Sequence, residues 1–337
     1  MNTKIFSSEN VKEAGEIIRN GGLVAFPTET VYGLGASAFN AEAAKKIYEA
    51  KGRPSDNPLI VHISDKEQIE SLAEDISSTA KKLIDAFMPG PFTIILKKRN
   101  NIPDAVTAGL DTVGIRFPEN KIAAEFISAA GVPVAAPSAN LSGKPSPTKA
   151  AHVIDDMSGR IDGIIDGGDC EVGVESTIVD ASGDYPILLR PGGVTFDMIK
   201  NIAPQAVIDE NILKEVSADE QPKCPGMKYK HYAPDAEVIV VEGEKKTVQK
   251  KIKELINENS GKTAGVLTMY GSVYDNAVML SAGNNNKDYA KKLFAALREF
   301  DALGIQIVFA EFCEKDGYGL AVKNRLYKSA GNKVIHV

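Results

Sequence analysis

Cysteine is scarce in this chain: Cys170, Cys224 and Cys313 are odd in number and far apart, which excludes a disulfide framework and any CxxC metal knuckle. The four histidines, His62, His152, His231 and His336, show no HxH or HExxH spacing, so the signature of a zinc site is missing. No apolar run approaches the roughly 20 residues a membrane span requires, and the opening MNTKIFSSEN carries no apolar signal core, so a cytoplasmic location without membrane contact is expected. The GxSxG elbow of acyl-serine enzymes is also absent. A basic excess is lacking too. The net charge is −6; residues 1–200 hold 20 Lys plus Arg against 27 Asp plus Glu, and the remainder 19 against 18. Nucleic-acid proteins draw most of their affinity from neutralising phosphates, and neither half has that balance.

What the chain does have is a set of cations beside proline and glycine turns: Lys51 and Arg53 in KGRPSDNPL, Arg116 in VGIRFPE, and Arg190 in LLRPGG. A cation on a solvated helix usually pairs with an acid at i, i+4, whereas one fixed at a strand end has a set direction and converges with others. Converging cations imply an anionic ligand. Between them stand hydroxyl and amide clusters, PTETVYGLG, APSANLSGKPSPT and VESTIVD, groups of the kind that orient a small polyoxygenated substrate.

At 337 residues the chain is too long for one ordinary core, and two domains are expected. The spacing predicts a helix over 11–20, a strand in GGLVAFPT, a helix over 41–51 stopped by Gly52 and Pro54, a strand in PLIVHIS, helices in DKEQIESLAEDI and SSTAKKLIDAFM, and a strand in FTIILKK. Further strands VGIRF, VPVAAPS, IIDGG, STIVD and PILLR alternate with two helices, giving a mixed α/β domain over 1–204. Residues 205–235 read as a linker whose Tyr229, His231 and Tyr232, interleaved with lysines, suit a lid over a ligand, or a plain tether. Residues 236–337 restart the alternation as a small doubly wound βαβ unit. That unit has neither GxGxxG nor a P-loop, so no nucleotide site of known type is visible in it.

Each cluster also has a structural reading. Lys51 is what a helix C-terminus takes to balance its dipole; Gly33-Leu34-Gly35 could be a tight turn that brings backbone to a ligand or merely reverses a strand; His62 could be a satisfied core histidine. The acids Glu29, Asp56, Asp111 and Glu175 are weighed as metal ligands against surface solvation or capping, and solvation is preferred.

Taken together, PTETVYGLG, KGRPSDNPLIVHI, PGPFTIILKK, VGIRFP, APSANLSGKPSPT, GVESTIVD and LLRPG resemble the YrdC-type domain of L-threonylcarbamoyladenylate synthases, in order and spacing over residues 10–200. The linker PGMKYKHYAP and the βαβ unit resemble the longer, two-domain form of that family. The resemblance implies a YrdC-like mixed twisted sheet with helices, followed by a smaller Rossmann-like domain. It further implies condensation of L-threonine, bicarbonate or CO2, and ATP to threonylcarbamoyl-AMP and pyrophosphate, with Mg2+ entering on ATP. A tRNA-modifying transferase would receive the intermediate, and direct tRNA contact would be weak. By the resemblance, Lys51 and Arg53 are catalytic. Arg53, Asn57, Thr112, Ser138, Asn140, Ser146, Arg190 and Tyr229 hold ATP, and Thr30, His62, Arg116, Ala136 and Ser176 hold threonine. The competing reading is a non-catalytic tRNA or double-stranded RNA binding module.

Overall fold

The computed structural model describes residues 2–213, 222–226, 231–313 and 317–337. Tyr229 lies outside the described residues. The chain divides into two compact units, Met1–Ser142 with Ser146–Tyr229, and Gly143–Pro145 with Lys230–Val337.

The first unit is built on a twelve-stranded mixed sheet. Its strands run, in spatial order, Lys4–Ser7, Gly163–Asp166, Val24–Phe26, Gly33–Ser37, Val134–Ala136, Ile60–His62, Thr112–Arg116, Phe92–Lys98, Thr177–Asp180, Ile187–Arg190 and Val207–Ile208; Ala73–Glu74 pairs beside Phe92–Lys98. Helices cover it by their apolar stripes. Val11, Ala14 and Ile18 of the helix Val11–Arg19 meet Ala123, Phe126, Ile127 and Ala130 of Lys121–Ala130 in one buried cluster, the i, i+3, i+4 spacing of a helix face. Gly15 lies at that crossing, where a Cβ would stand 2.7 Å from the Ala129 carbonyl carbon.

The helix Ala41–Lys51 shows how local chemistry aims the first cation pair. Asn40 caps it by accepting from the Ala43 amide at 3.0 Å, and Gly52 ends it in the left-handed region at φ 61, where a residue without a Cβ meets no steric cost. Lys51 and Arg53 therefore flank a sharp exit.

Three sequence expectations change. Gly33-Leu34-Gly35 is the start of a strand, not a turn: it pairs antiparallel with Val24–Phe26, and the glycines are there because a Cβ on Gly33 or Gly35 would press on the Phe26 ring, and one on Gly35 would lie 2.7 Å from Val134. The helix expected through DKEQIESLAEDI stops at Leu72, and Ala73–Glu74 turns into a strand. The first residues assigned to the linker, Val207–Ile208, pair parallel with Ile187–Leu188 and belong to the sheet.

The second unit is a five-stranded, wholly parallel sheet in the order Val278–Gly283, Ala264–Met269, Ile307–Phe312, Glu237–Glu242, Val334–His336. Val248, Ile252, Leu255 and Ile256 of the helix Lys245–Glu258 pack on Val241, Val266, Ile307 and Phe309, the crossover packing that parallel strands require.

Candidate active site

Register decides which side chains share a face of the first sheet. His62 pairs with Arg116 and Ile60 with Gly114; Ile60 pairs with Ala136; Thr93 pairs with Ile178, and Ile178 with Arg190. Successive residues of a strand alternate faces. The pleat thus brings His62, Ala136, Thr112, Arg116 and Arg190 to one face, and Ser138 and Ser176 continue the alternation beyond Ala136 and before Ile178. Motifs separated by over a hundred residues meet there.

At one end of this face sits a buried ion pair. Arg116 Nη2 donates to Glu29 Oε1 at 2.7 Å, with side chains 5% and 8% exposed, and to Thr28 Oγ1 at 3.4 Å. Thr28 and Thr30 share a hydroxyl–hydroxyl contact of 2.8 Å. His62 stands beside Arg116; burial first, and then the guanidinium charge, lower its pKa to about 3, because both disfavour a second cation. It is a neutral imidazole at physiological pH, with Nδ1 3.0 Å from the Ile60 carbonyl. Ser176 shares a hydroxyl contact of 2.8 Å with Thr93 and accepts from Arg190 Nη2 at 3.1 Å.

The second group gathers around the exit of Ala41–Lys51. Lys51, 3% exposed, donates from Nζ to the carbonyls of Ser138 and Asn140 at 2.5 Å each. Ser138 Oγ donates to Asn140 Oδ1 at 2.6 Å. Arg53 Nη2 reaches the carbonyls of Asn57 and Pro58 at 3.3 Å. Asn57 is fully buried, and neither atom of its side-chain amide has a hydrogen-bond partner among the described residues; a buried amide left so is costly unless a ligand completes it. Thr112 lines a narrow cavity with Pro58, Thr93, Gly114, Cys224 and Pro225.

Sequence reasoning missed two acids. Glu29 and Glu175 are buried, not solvated: Glu29 holds Arg116, and Glu175 Oε1 accepts from Ser146 Oγ at 2.5 Å. A glutamate between two threonines at the edge of an apolar strand was the available signal. Cys224 packs with Ile60, Ile95, Ile178 and Leu189, and the Pro225 carbonyl accepts from Arg190 Nη1 at 3.2 Å. Residues 222–226 therefore lie on the same face. No group of three or more His, Cys, Asp or Glu able to hold a metal occurs among the described residues, and no helix among them is long and apolar enough to cross a membrane.

A sheet face that combines buried guanidiniums, a buried ammonium, hydroxyls and an orphaned amide defines a site for a small, multiply anionic ligand. Residues 16–192 match the Sua5–YciO–YrdC family, described as telomere recombination, and residues 194–331 match the family described as the threonylcarbamoyl-AMP synthase C-terminal domain. The chain is 49% identical to the threonylcarbamoyl-AMP synthase of Pyrococcus abyssi, covering 97% of this chain and 96% of the relative. It is 47% identical to that of Bacillus subtilis, covering 96% and 94%. The structure of P. abyssi Sua5 complexed with L-threonine superposes with a TM-score of 0.95 over 99% of this chain and 100% of that one, at 47% identity. The chain belongs to the threonylcarbamoyl-AMP synthase family, in its two-domain form, and its relatives are enzymes.

Proposed function

We propose that this protein condenses L-threonine, bicarbonate or CO2, and ATP to threonylcarbamoyl-AMP and pyrophosphate. The intermediate would be passed to a tRNA-modifying transferase that builds threonylcarbamoyladenosine next to the anticodon. The observation that carries the reading is the buried Arg116, held by Glu29 beside a neutral His62, because such a guanidinium is suited to an amino-acid carboxylate. The relative that carries L-threonine in its structure supports it. Thr30, Ala136 and Ser176 complete the threonine side. Lys51 and Arg53 are the catalytic cations, and Arg53, Asn57, Thr112, Ser138, Asn140, Ser146 and Arg190 hold ATP.

The chemistry suits this set. Threonine's amine takes up the one-carbon unit as a carbamate, whose oxygen attacks the α-phosphorus in line with departing pyrophosphate. Two anions must meet, so cations and positioning supply the catalysis and no covalent nucleophile is needed. Magnesium enters with ATP and keeps phosphate and water as its main ligands. Incubation with ATP, Mg2+ and bicarbonate should give pyrophosphate that depends on L-threonine, with serine a poorer substrate. Pyrophosphate release indifferent to threonine, or none at all, would reject the reading.

A further inference from the structure

The Glu29–Arg116 ion pair leaves one acceptor and one donor unused on the same side-chain pair. Glu29 Oε1 is bonded to Arg116 Nη2 at 2.7 Å, whereas Glu29 Oε2 and Arg116 Nε are buried with no hydrogen-bond partner among the described residues. Orphaned charged-group atoms in a dry site are costly, and here they are complementary in sign. Their missing partner needs a donor for a carboxylate and an acceptor for a guanidinium, joined within one small molecule. An α-amino acid zwitterion has that form: ammonium to Glu29 Oε2, carboxylate to Arg116.

Building on the synthase reading above, we propose that Glu29 is a catalytic residue that binds the ammonium group of threonine and takes its proton, freeing the amine for carbamate formation. A protonated amine has no lone pair, and it is the form free threonine holds at neutral pH. In the step, one ammonium N–H bond breaks and the proton passes to Glu29 Oε2. The released electron pair forms the N–C bond with bicarbonate, whose C–OH bond breaks, and the departing hydroxide takes a second nitrogen proton to leave as water. Threonine zwitterion, carboxylate and bicarbonate become carbamate, carboxylic acid and water, with charge conserved. Neutralising Glu29 also removes a negative charge from the place where the carbamate anion develops.

The neighbouring groups leave this proton transfer legible between pH 6 and 7.5. His62 is neutral above its depressed pKa of about 3, and the Cys170 thiol, which feels both Glu29 and Arg116, is pushed up to about 12 by burial. Asp169 is the further charge beside Cys170.

The test is the pH profile of pyrophosphate formation at fixed bicarbonate for wild type and Glu29→Gln. Wild type should be level from pH 6 to 7.5. Glu29→Gln should be at least a hundredfold slower at pH 7 and rise about tenfold per pH unit, because solvent must then deprotonate the amine, while its affinity for ATP is unchanged. A variant profile parallel to wild type, or a wild-type rate, overturns the assignment. Calorimetry on wild-type protein tests the same contact without a variant or turnover: (2S,3R)-2,3-dihydroxybutanoate, which replaces the ammonium by hydroxyl, should bind at least tenfold more weakly than threonine, and equal binding overturns it. Absence of threonine-dependent pyrophosphate from wild type would instead reject the synthase reading, whatever Glu29 does.

Discussion

Arg190 holds Ser176 at two points, Nε donating to its carbonyl at 3.0 Å and Nη2 to its hydroxyl at 3.1 Å. A cation assigned to the nucleotide thereby fixes a hydroxyl assigned to threonine. Arg190→Ala should raise KM for both substrates, and Arg190→Lys should recover little, since an ammonium cannot span both acceptors and Pro225 together. A double-mutant cycle with Ser176→Ala should show a coupling of about 1 kcal/mol or more in kcat/KM; additive effects would show that the contact carries nothing.

Lys51 and Arg53 should fail in different ways. Alanine at either should slow pyrophosphate formation roughly a hundredfold, a loss of about 3 kcal/mol in the barrier. Lys51→Ala should also lower the thermal midpoint, because it strips the Ser138 and Asn140 carbonyls of a buried donor. Arg53 is only half-buried, and Arg53→Ala should keep the midpoint within a degree or two.

His62 sets an acid limit on stability. Its folded pKa of about 3 lies below the usual 6.5, so the unfolded chain binds the proton first. Stability is intact above pH 6.5 and is lost as pH falls from 6.5 toward 3, at up to about 1.4 kcal/mol per unit. Urea unfolding at pH 7 and pH 5 should differ by about 2 kcal/mol more in wild type than in His62→Gln. An equal difference would place the imidazole in contact with water.

Two glycines should respond oppositely to alanine. At Gly192 a Cβ would lie 2.5 Å from the Glu175 carbonyl oxygen and the Thr177 amide nitrogen, backbone atoms that cannot yield, so Gly192→Ala should abolish folding or activity at 37 °C. At Gly114 the nearest atoms are Thr93, Ile60 and Ile95 side chains at 3.4–3.8 Å, so Gly114→Ala should fold, and any loss should appear in ATP affinity. Circular dichroism and nucleotide titration separate the two.

Local signals were readable in the sequence wherever chemistry along the chain dictates them. Asn40 and Gly52 bound their helix as caps do, and the strand–helix alternation of 236–337 became a parallel sheet. The motif cations Lys51, Arg116 and Arg190 are held by fixed hydrogen-bond partners. What stayed hidden depends on distant partners. Glu29 reads as a solvated acid until folding sets Arg116, 87 residues away, against it. Gly33 and Gly35 read as turn glycines because Phe26 and Val134, which forbid a Cβ there, are not their sequence neighbours. The segment 222–226 reads as part of a linker suited to a lid or a tether, and nothing local reveals that Cys224 belongs to a hydrophobic cluster.

The outermost pairing of the large sheet has a bearing on how the protein is made. Lys4–Ser7 lies against Gly163–Asp166, and Val24–Ala25 pairs with the same strand. The N-terminal strand is synthesised some 160 residues before the strand it pairs with. At ribosomal speeds of roughly 5–20 residues per second, that is an interval of about ten to thirty seconds. Throughout it Phe6 and Val24 lack their strand partners Ile165 and Gly163, so an unpaired strand edge stays open in the nascent first half, the kind of exposure that favours aggregation.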